Sequence, residues 1–515
     1  MSNRQQPLTQ SHSQSHSQSR GQMRSLIADR VRRPADQGRP AAPPGRKQGP
    51  KQGPGQGPGQ GPQQGSKPRT GLRLLALAAG FVMAAVDATV VNVAGRTLQQ
   101  KLGLGLSQLT WVVDGYTLSF AALLLLAGSL ADRFGAKRLY LAGMAVFVVA
   151  SLGCALAPDG TLLVAARLLQ GAGAALFMPS SLTLFTVAFP DPSRRARMVA
   201  LWSAIVSGSM AFGPVIGGLL VDSFGWRSIF LVNLPIGVLG LLLAARVVPG
   251  LPGRPARFAW TGHALGFGML GLLCFTLIEG SVLGWVSAAI VCSTAGTLLL
   301  ATLFVRNLRT SRRPVLPVSL FASSRFSAAN AIGFLINAGV YGELYLMGLF
   351  LQSARGDSPL LAGIEMLPVT GVFVLGNLLF ARLTNRFGVH RPLMAGLLVA
   401  AVAMLGLTTV SASMPYPVMA ALLVVANLCV GVAVPAMVAA LVDAAGTEHA
   451  NAGAAIMNAN RQVGTLVGVA VTGIVLAATG GHWYTAAALG FGVSGVAYLA
   501  ATLLAWRFLR HPARS

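Results

Sequence analysis

The stretch Gly128-Ser-Leu-Ala-Asp132-Arg133-Phe-Gly135-Ala-Lys137-Arg138 is a short basic interruption between two long apolar runs, and the chain contains a second version of it. That version reads Ala381-Arg-Leu-Thr-Asn385-Arg386-Phe-Gly388-Val-His390-Arg391. Each joins the second apolar run of a block of six to the third, provided runs seven and eight are set aside as an insertion. A repeated half, with cavities where the repeats meet, is the architecture of rocking membrane carriers. Asn385 stands where the first loop has Asp132, so the two halves are not equivalent.

Working outward, the runs on either side of these loops are continuous rather than alternating. Hydrophobic residues make up 54% of 515 positions, charged residues 10%, and mean hydropathy is +0.64. A soluble domain carries roughly 25% charged residues. The runs exceed the ~18 to 20 residues that a helix needs to cross a bilayer, and continuous runs favour helices over a barrel. Fourteen helices are expected at 73–95, 108–130, 138–157, 161–188, 197–221, 227–247, 259–280, 284–305, 326–352, 358–382, 391–411, 416–441, 453–478 and 484–506. The break between the twelfth and thirteenth rests on Asp443, Glu448 and His449. With the N-terminus in the cytoplasm, 32 of 39 Lys/Arg fall in cytoplasmic segments and four in outer ones. That asymmetry satisfies the positive-inside rule, and a miscount by one helix would scramble it. An all-α integral membrane protein of the cytoplasmic membrane follows, with both termini inside.

The expected organisation is a basic tail over 1–70, a six-helix bundle over 71–250, two additional helices over 251–310, and a second six-helix bundle with a short tail over 311–515. The net charge of +25 is misleading, because 12 Lys/Arg against 2 Asp sit in residues 1–70. That tail is built of Gln, Gly, Pro and Ser, is expected to be disordered, and suits an anionic leaflet rather than nucleic acid. Cys154, Cys274, Cys292 and Cys429 lie inside apolar runs without metal or disulfide spacing. No cofactor, metal or obligate protein partner is expected. The absence of GxSxG, HExxH or P-loop patterns argues against an enzyme.

Ionisable groups inside the membrane cost ~2.5 to 3.5 kcal/mol and usually face an interior path. Asp87, Asp114 and Arg167 lie at comparable depth on the first, second and fourth helices, and a charge-paired cluster is the economical arrangement. It is either a static pair or a coupling site whose pairing changes; Asp114 alternatively reaches the outer surface. Glu343, at mid-depth on the ninth helix, is the favoured proton site. Its neutral form donates a hydrogen bond and its anion holds a cation, with Tyr341 and Tyr345 as aromatic walls. Glu279 reads as an interfacial acid, and Glu365 as a candidate for an outer vestibule. Arg167, Gln170 and Gly171 share one helix face, as do Asn458, Arg461, Gln462 and Thr465 on the thirteenth helix. Gly213-Pro214 with Gly217-Gly218 combines a helix breaker with missing side chains, which reads as a hinge or seal.

These segments resemble the major facilitator superfamily, in its fourteen-helix drug:proton antiporter branch, over about residues 73 to 507. The resemblance rests on the Gly128–Arg138 loop, on Arg167-Leu-Leu-Gln170-Gly171-Ala-Gly173, and on Gly208 through Gly213-Pro214-Val-Ile-Gly217-Gly218. It rests also on Asp87-Ala-Thr-Val-Val-Asn92-Val-Ala, on Trp226-Arg227-Ser-Ile-Phe-Leu-Val-Asn233-Leu-Pro235-Ile-Gly237, and on Arg461-Gln462-Val-Gly464. It implies two six-helix pseudo-repeats plus two inserted helices, and export of small amphipathic compounds such as antibiotics in exchange for protons. An importer or uniporter of a small polar metabolite is the competing reading. The resemblance further implies an inner latch at Asp132, Arg133, Gly135 and Arg138, and a cavity lined by Asn92, Gln170, Tyr341, Tyr345, Arg461 and Gln462.

Overall fold

The computed structural model describes residues 67–250, 252–253, 259–311 and 314–509. The expected behaviour of the basic tail therefore falls almost wholly outside the described residues, as do the last six positions. No strand occurs among the described residues. Fourteen helices there are long and apolar enough to cross a membrane. They are α1 Thr70–Leu102, α2 Leu106–Phe134, α3 Ala136–Leu156, α4 Gly160–Ala188, α5 Pro192–Phe224, α6 Ser228–Val247, α7 Trp260–Leu283, α8 Ala288–Thr310, α9 Ser324–Ala354, α10 Pro359–Phe387, α11 His390–Thr409, α12 Tyr416–Gly446, α13 Ala452–Ala478 and α14 Trp483–Leu509. All fourteen expected spans are present.

Local chemistry sets several boundaries. Asp159, Asp191, Ser323 and Ser358 each cap a helix by accepting from the backbone N–H three residues on, at 2.9, 2.7, 3.3 and 3.2 Å. Pro192 and Pro359 follow two of these caps, where their missing N–H costs nothing. Gly135 and Gly388 hold φ of +91° and +74° at matching places in the two repeated loops. A side chain there would be strained, so the repeat is conformational as well as sequential. The weakest boundary is set differently from expectation. Helical turns continue from α12 towards α13, and the interruption is Gly446 at φ +72° rather than a charged loop.

Helices α1–α6 pack mainly among themselves, α1 on α5 and α6 and α4 on α2 and α3, while α9 packs on α13 and α14 and α11 on α14. The two groups meet where α5 touches α10, α2 touches α13 and α1 touches α9. In the inserted pair, α7 lies against both α2 and α13, and α8 packs on α7.

Between and beside the two groups, close approaches are made by glycines toward the end of the bundle where α1 turns into α2. A Cβ on Gly218 would lie 2.3 Å from the carbonyl oxygen of Pro359, and one on Gly348 would lie 2.4 Å from that of Asn92. On Gly213 it would meet Thr89 Oγ1 at 1.9 Å, and on Gly363 the Pro214 carbonyl oxygen at 2.4 Å. Only missing side chains let these backbones touch, as in small-residue helix contacts. Away from this seal the pairing fades. The buried residues of α5 are confined to Ala211, Gly213, Pro214, Gly217, Gly218 and Val221, with none between Pro192 and Met210. In α10 none follows Gly376. The groups are sealed at one end and part toward the end carrying the repeated loops.

Candidate functional site

Among the described residues, three sites built on wholly buried acids interrupt the apolar interior. The first joins α1, α3, α4 and α6. Arg167 reaches from α4 to Asp87 on α1 through a hydrogen-bonded ion pair in which each side chain is 1% exposed. The guanidinium also donates to Gln170 Oε1 at 2.6 Å and, through Nε, to the Val112 carbonyl at 2.9 Å. Gln170 Nε2 donates to Asp87 Oδ1 and to Ser151 Oγ, both at 2.9 Å, and Asn233 Nδ2 reaches Asp87 Oδ1 at 3.4 Å. The face of Tyr116 lies 4.7 Å from the guanidinium carbon. Opposite charges with most hydrogen-bonding capacity filled are what a dry interior tolerates. Hydropathy marked Asp87, Arg167 and Gln170; Ser151 and the role of Asn233 in this network escaped it, because small amides and hydroxyls barely alter an apolar run.

Asp114 does not join this cluster, which corrects the expectation of two acids sharing one base. Nor does it reach the surface: it is 0% exposed, and neither carboxyl oxygen has a hydrogen-bond partner. Equal depth fixes only height along the membrane. Arg167 meets α2 at the Val112 carbonyl, while Asp114 lies on a side of α2 close to Tyr345 and Cys274.

The third site belongs to α9 and α12. Glu343 is 1% exposed; its Oε1 accepts from Asn427 Nδ2 at 2.7 Å, and Oε2 has no partner. Asn427 also donates to the Leu423 carbonyl at 3.0 Å, which fixes the amide's orientation. Tyr498 of α14 packs over Gly339, one turn before Glu343, where a Cβ would come within 2.6 Å of the ring. Asn427 was missed in the sequence, being one amide within the apolar run Val-Val-Ala-Asn-Leu-Cys. Acid on the first helix of a group and amide on the fourth is the same arrangement as Asp87 with Gln170, without the arginine.

The expected aromatic walls diverge. Tyr345 is buried and its hydroxyl pairs with Thr110 Oγ1 at 3.1 Å, tying α9 to α2 and leaving no open ring face. Tyr341 is half-buried and close enough to Arg461 to feel its charge. Arg461 Nε donates weakly to Asn337 Oδ1 at 3.4 Å, and Gln462 is half-buried beside it. Asn92 donates to the Ala88 carbonyl at 3.3 Å, while its own carbonyl lies in the seal against Gly348. Gly213, Pro214, Gly217 and Gly218 are seal residues, Gly217 lying against Val90 of α1. In the first repeated loop Asp132, Arg133 and Arg138 are exposed, and Lys137 supplies the tether by donating to the Ala245 carbonyl at 2.8 Å. Glu365 is half-buried; its backbone carbonyl accepts from Tyr416, and one carboxyl oxygen is buried.

Comparison with known proteins agrees with this architecture. The chain is 49% identical over 445 residues to the methylenomycin A resistance protein of Streptomyces coelicolor, covering 86% of this chain and 94% of that one. The methylenomycin A resistance protein of Bacillus subtilis is 48% identical over 448 residues, 86% of this chain and 96% of the relative. The tetracenomycin C resistance and export protein of Streptomyces glaucescens is 32% identical over 418 residues, 80% of this chain and 78% of the relative. Among solved structures, a bacterial homolog of the lysosomal transporter Spinster, inward-facing and unoccupied, superposes with a TM-score of 0.62 at 16% identity, covering 88% of this chain and all of that one. A D-xylose–proton symporter gives 0.60 at 16% identity, over 86% of this chain and 98% of that one. The family model described as Major Facilitator Superfamily matches residues 75–469 and 369–515. Fourteen membrane helices, two groups sealed at one end and this match together place the chain in the Major Facilitator Superfamily.

Proposed function

We propose that this protein exports small amphipathic antibiotics across the cytoplasmic membrane in exchange for entering protons. The observation that carries the reading is a contrast among equally buried acids. Asp87 is neutralised by Arg167, whereas Asp114 and Glu343 meet no cation among the described residues. A bare carboxylate in such a place costs several kcal/mol, so each acid holds a proton until water or cargo reaches it. Release on one side and uptake on the other, driven by rocking about the seal, couples cargo to protons.

With the basic loops in the cytoplasm, the seal is the outer gate and the parted end of α5 and α10 admits cargo from inside. The names of the relatives, antibiotic resistance and export proteins, support both the cargo class and the direction. Everted vesicles bearing the protein test the reading, with methylenomycin A and tetracenomycin C added to an established pH gradient. The native protein is expected to collapse the gradient when a transported compound is added, and Glu343→Gln to abolish that response while still binding the compound. Counterflow of compound without proton movement would make the protein a facilitator. Coupling retained in Glu343→Gln but lost in Asp114→Asn would move the proton to Asp114.

A further inference from the structure

Glu279 is half-buried on the inserted helix α7 and is held against α2: Ser107 Oγ and Trp111 Nε1 both donate to its Oε1 at 2.7 Å. Both donors use the same oxygen, and Glu279 lines a cavity of about 440 Å³ between α2, α7 and α13. Among the described residues it is the one ionisable side chain lining that space, with Ser107, Thr110, Ala470, Gly473 and Ile474 also in the walls. The wall is mostly apolar but carries Ser107, Gln108, Thr110, Glu279 and Ser281, and a cavity of this size has room for waters held by those polar groups. Its deep end is polar as well. Thr110 Oγ1 pairs with Tyr345 Oη at 3.1 Å and donates to the Leu106 carbonyl at 2.9 Å in the resting arrangement, and Gly473 leaves space beside that hydroxyl, since a Cβ there would stand 3.0 Å from it. One turn further along the same face of α2 lies Asp114, wholly buried, with both carboxyl oxygens unpartnered and Tyr345 near enough to sense its charge.

We infer that this cavity is a proton inlet, with Glu279 as the acceptor at its mouth and Asp114 as its terminus. A proton taken from water forms the O–H of Glu279 and passes into the cavity water. The Thr110 and Tyr345 hydroxyls each accept one proton as they release their own; no hydrogen bond joins Tyr345 to Asp114, so a water entering between them carries the last proton, which forms the O–H of Asp114. The first helix of the inserted pair, α7, thereby supplies one wall of the inlet and its entry acid. Delivery of protons by this route deepens the proposed exchange and rests on Asp114 being one of its proton carriers.

The test reads proton uptake by the purified protein directly, without cargo, by stopped-flow mixing from alkaline to neutral pH with an indicator dye. Native protein is expected to show a fast uptake phase that Asp114→Asn abolishes. Glu279→Gln and Gly473→Val, which blocks the space beside Thr110, should slow that phase at least tenfold while leaving its amplitude. Formic acid, small enough to carry protons into the cavity, should restore the rate in Glu279→Gln. Trp111→Phe removes a contact to Glu279 but keeps its carboxylate, so its uptake should stay native; slowing equal to that of Glu279→Gln would mean a purely structural clamp and overturn the inlet. Native rates in both Glu279→Gln and Gly473→Val, or no phase lost in Asp114→Asn, would also overturn it. Failure of the exporter reading shows separately, as absence of drug–proton exchange in native vesicles.

Discussion

Removing either member of the Asp87–Arg167 pair destabilises the protein, and the two losses differ in their response to pH. Both side chains are 1% exposed, and the pair is enclosed by Gln170, Ser151, Asn233 and the Val112 carbonyl. In Arg167→Met the remaining carboxyl escapes an unpaired charge by binding a proton. Holding a proton at pH 7 on a group that titrates near 3.9 in water costs about 4 kcal/mol, or ~1.4 kcal/mol per pH unit. Above about pH 4 the folded variant then carries a proton that its unfolded chain lacks, so its stability falls as pH rises. In Asp87→Asn the guanidinium cannot discharge. It keeps Gln170, Val112 and the Tyr116 face, and loses about 3 to 5 kcal/mol as a buried charge stripped of its partner. Unfolding by SDS in bicelles, followed from about pH 5 to pH 7, measures both. Lowering the pH by two units should restore roughly 2.8 kcal/mol to Arg167→Met and leave Asp87→Asn unchanged. Equal and pH-independent losses, or losses under about 1 kcal/mol in both, would refute the reasoning by showing that the pair is either solvated or not mutually compensating.

Two further outcomes follow from the seal and from the start of α5. Gly218→Val drives a side chain into the Pro359 carbonyl, 2.3 Å from where its Cβ would stand, so α5 and α10 must part at that end. Transport should fall more than tenfold with the protein still folded, and Leu360→Cys should react faster with a membrane-impermeant thiol reagent in that background; unchanged labelling would contradict a sealing role. At the other end of α5, Asp191 accepts from the Ser193 hydroxyl and the Arg194 N–H, both at 2.7 Å, and these bonds hold its carboxyl below the usual range. A lowered value means that the cap is intact above the ordinary Asp range and is lost as pH falls through the folded value. Hydrogen exchange over residues 192–196 should therefore approach that of Asp191→Ala in acid, and a difference that persisted at all acid pH values would count against the cap.

Much of this molecule can be read without coordinates, for a definite reason. Crossing a bilayer imposes length and apolarity on every helix separately, so fourteen spans appear as fourteen runs. The conformations at Gly135 and Gly388 are local too, which is why the repeated loops announce the duplication. The boundary at Gly446 was obscured because a single glycine changes φ without ending the apolar pattern or the helical turns on either side.

What the sequence determined by itself is thus the number of helices, the duplication, the inserted pair and which few charged groups lie inside the membrane. Tertiary structure alone decided what each of those groups faces. Position along a helix gives depth, but the partner depends on how that helix is rotated and on which others surround it, a choice made jointly by all the packed side chains. Thus Arg167 pairs with Asp87 rather than with Asp114 at a similar depth. Glu343 finds Asn427, whose residue number differs by 84, and Glu279 finds Ser107 and Trp111 across two helix groups. Tyr345, expected as a cavity wall, is turned instead onto Thr110, because the close contact of α1 with α9 at Gly348 fixes the rotation of α9.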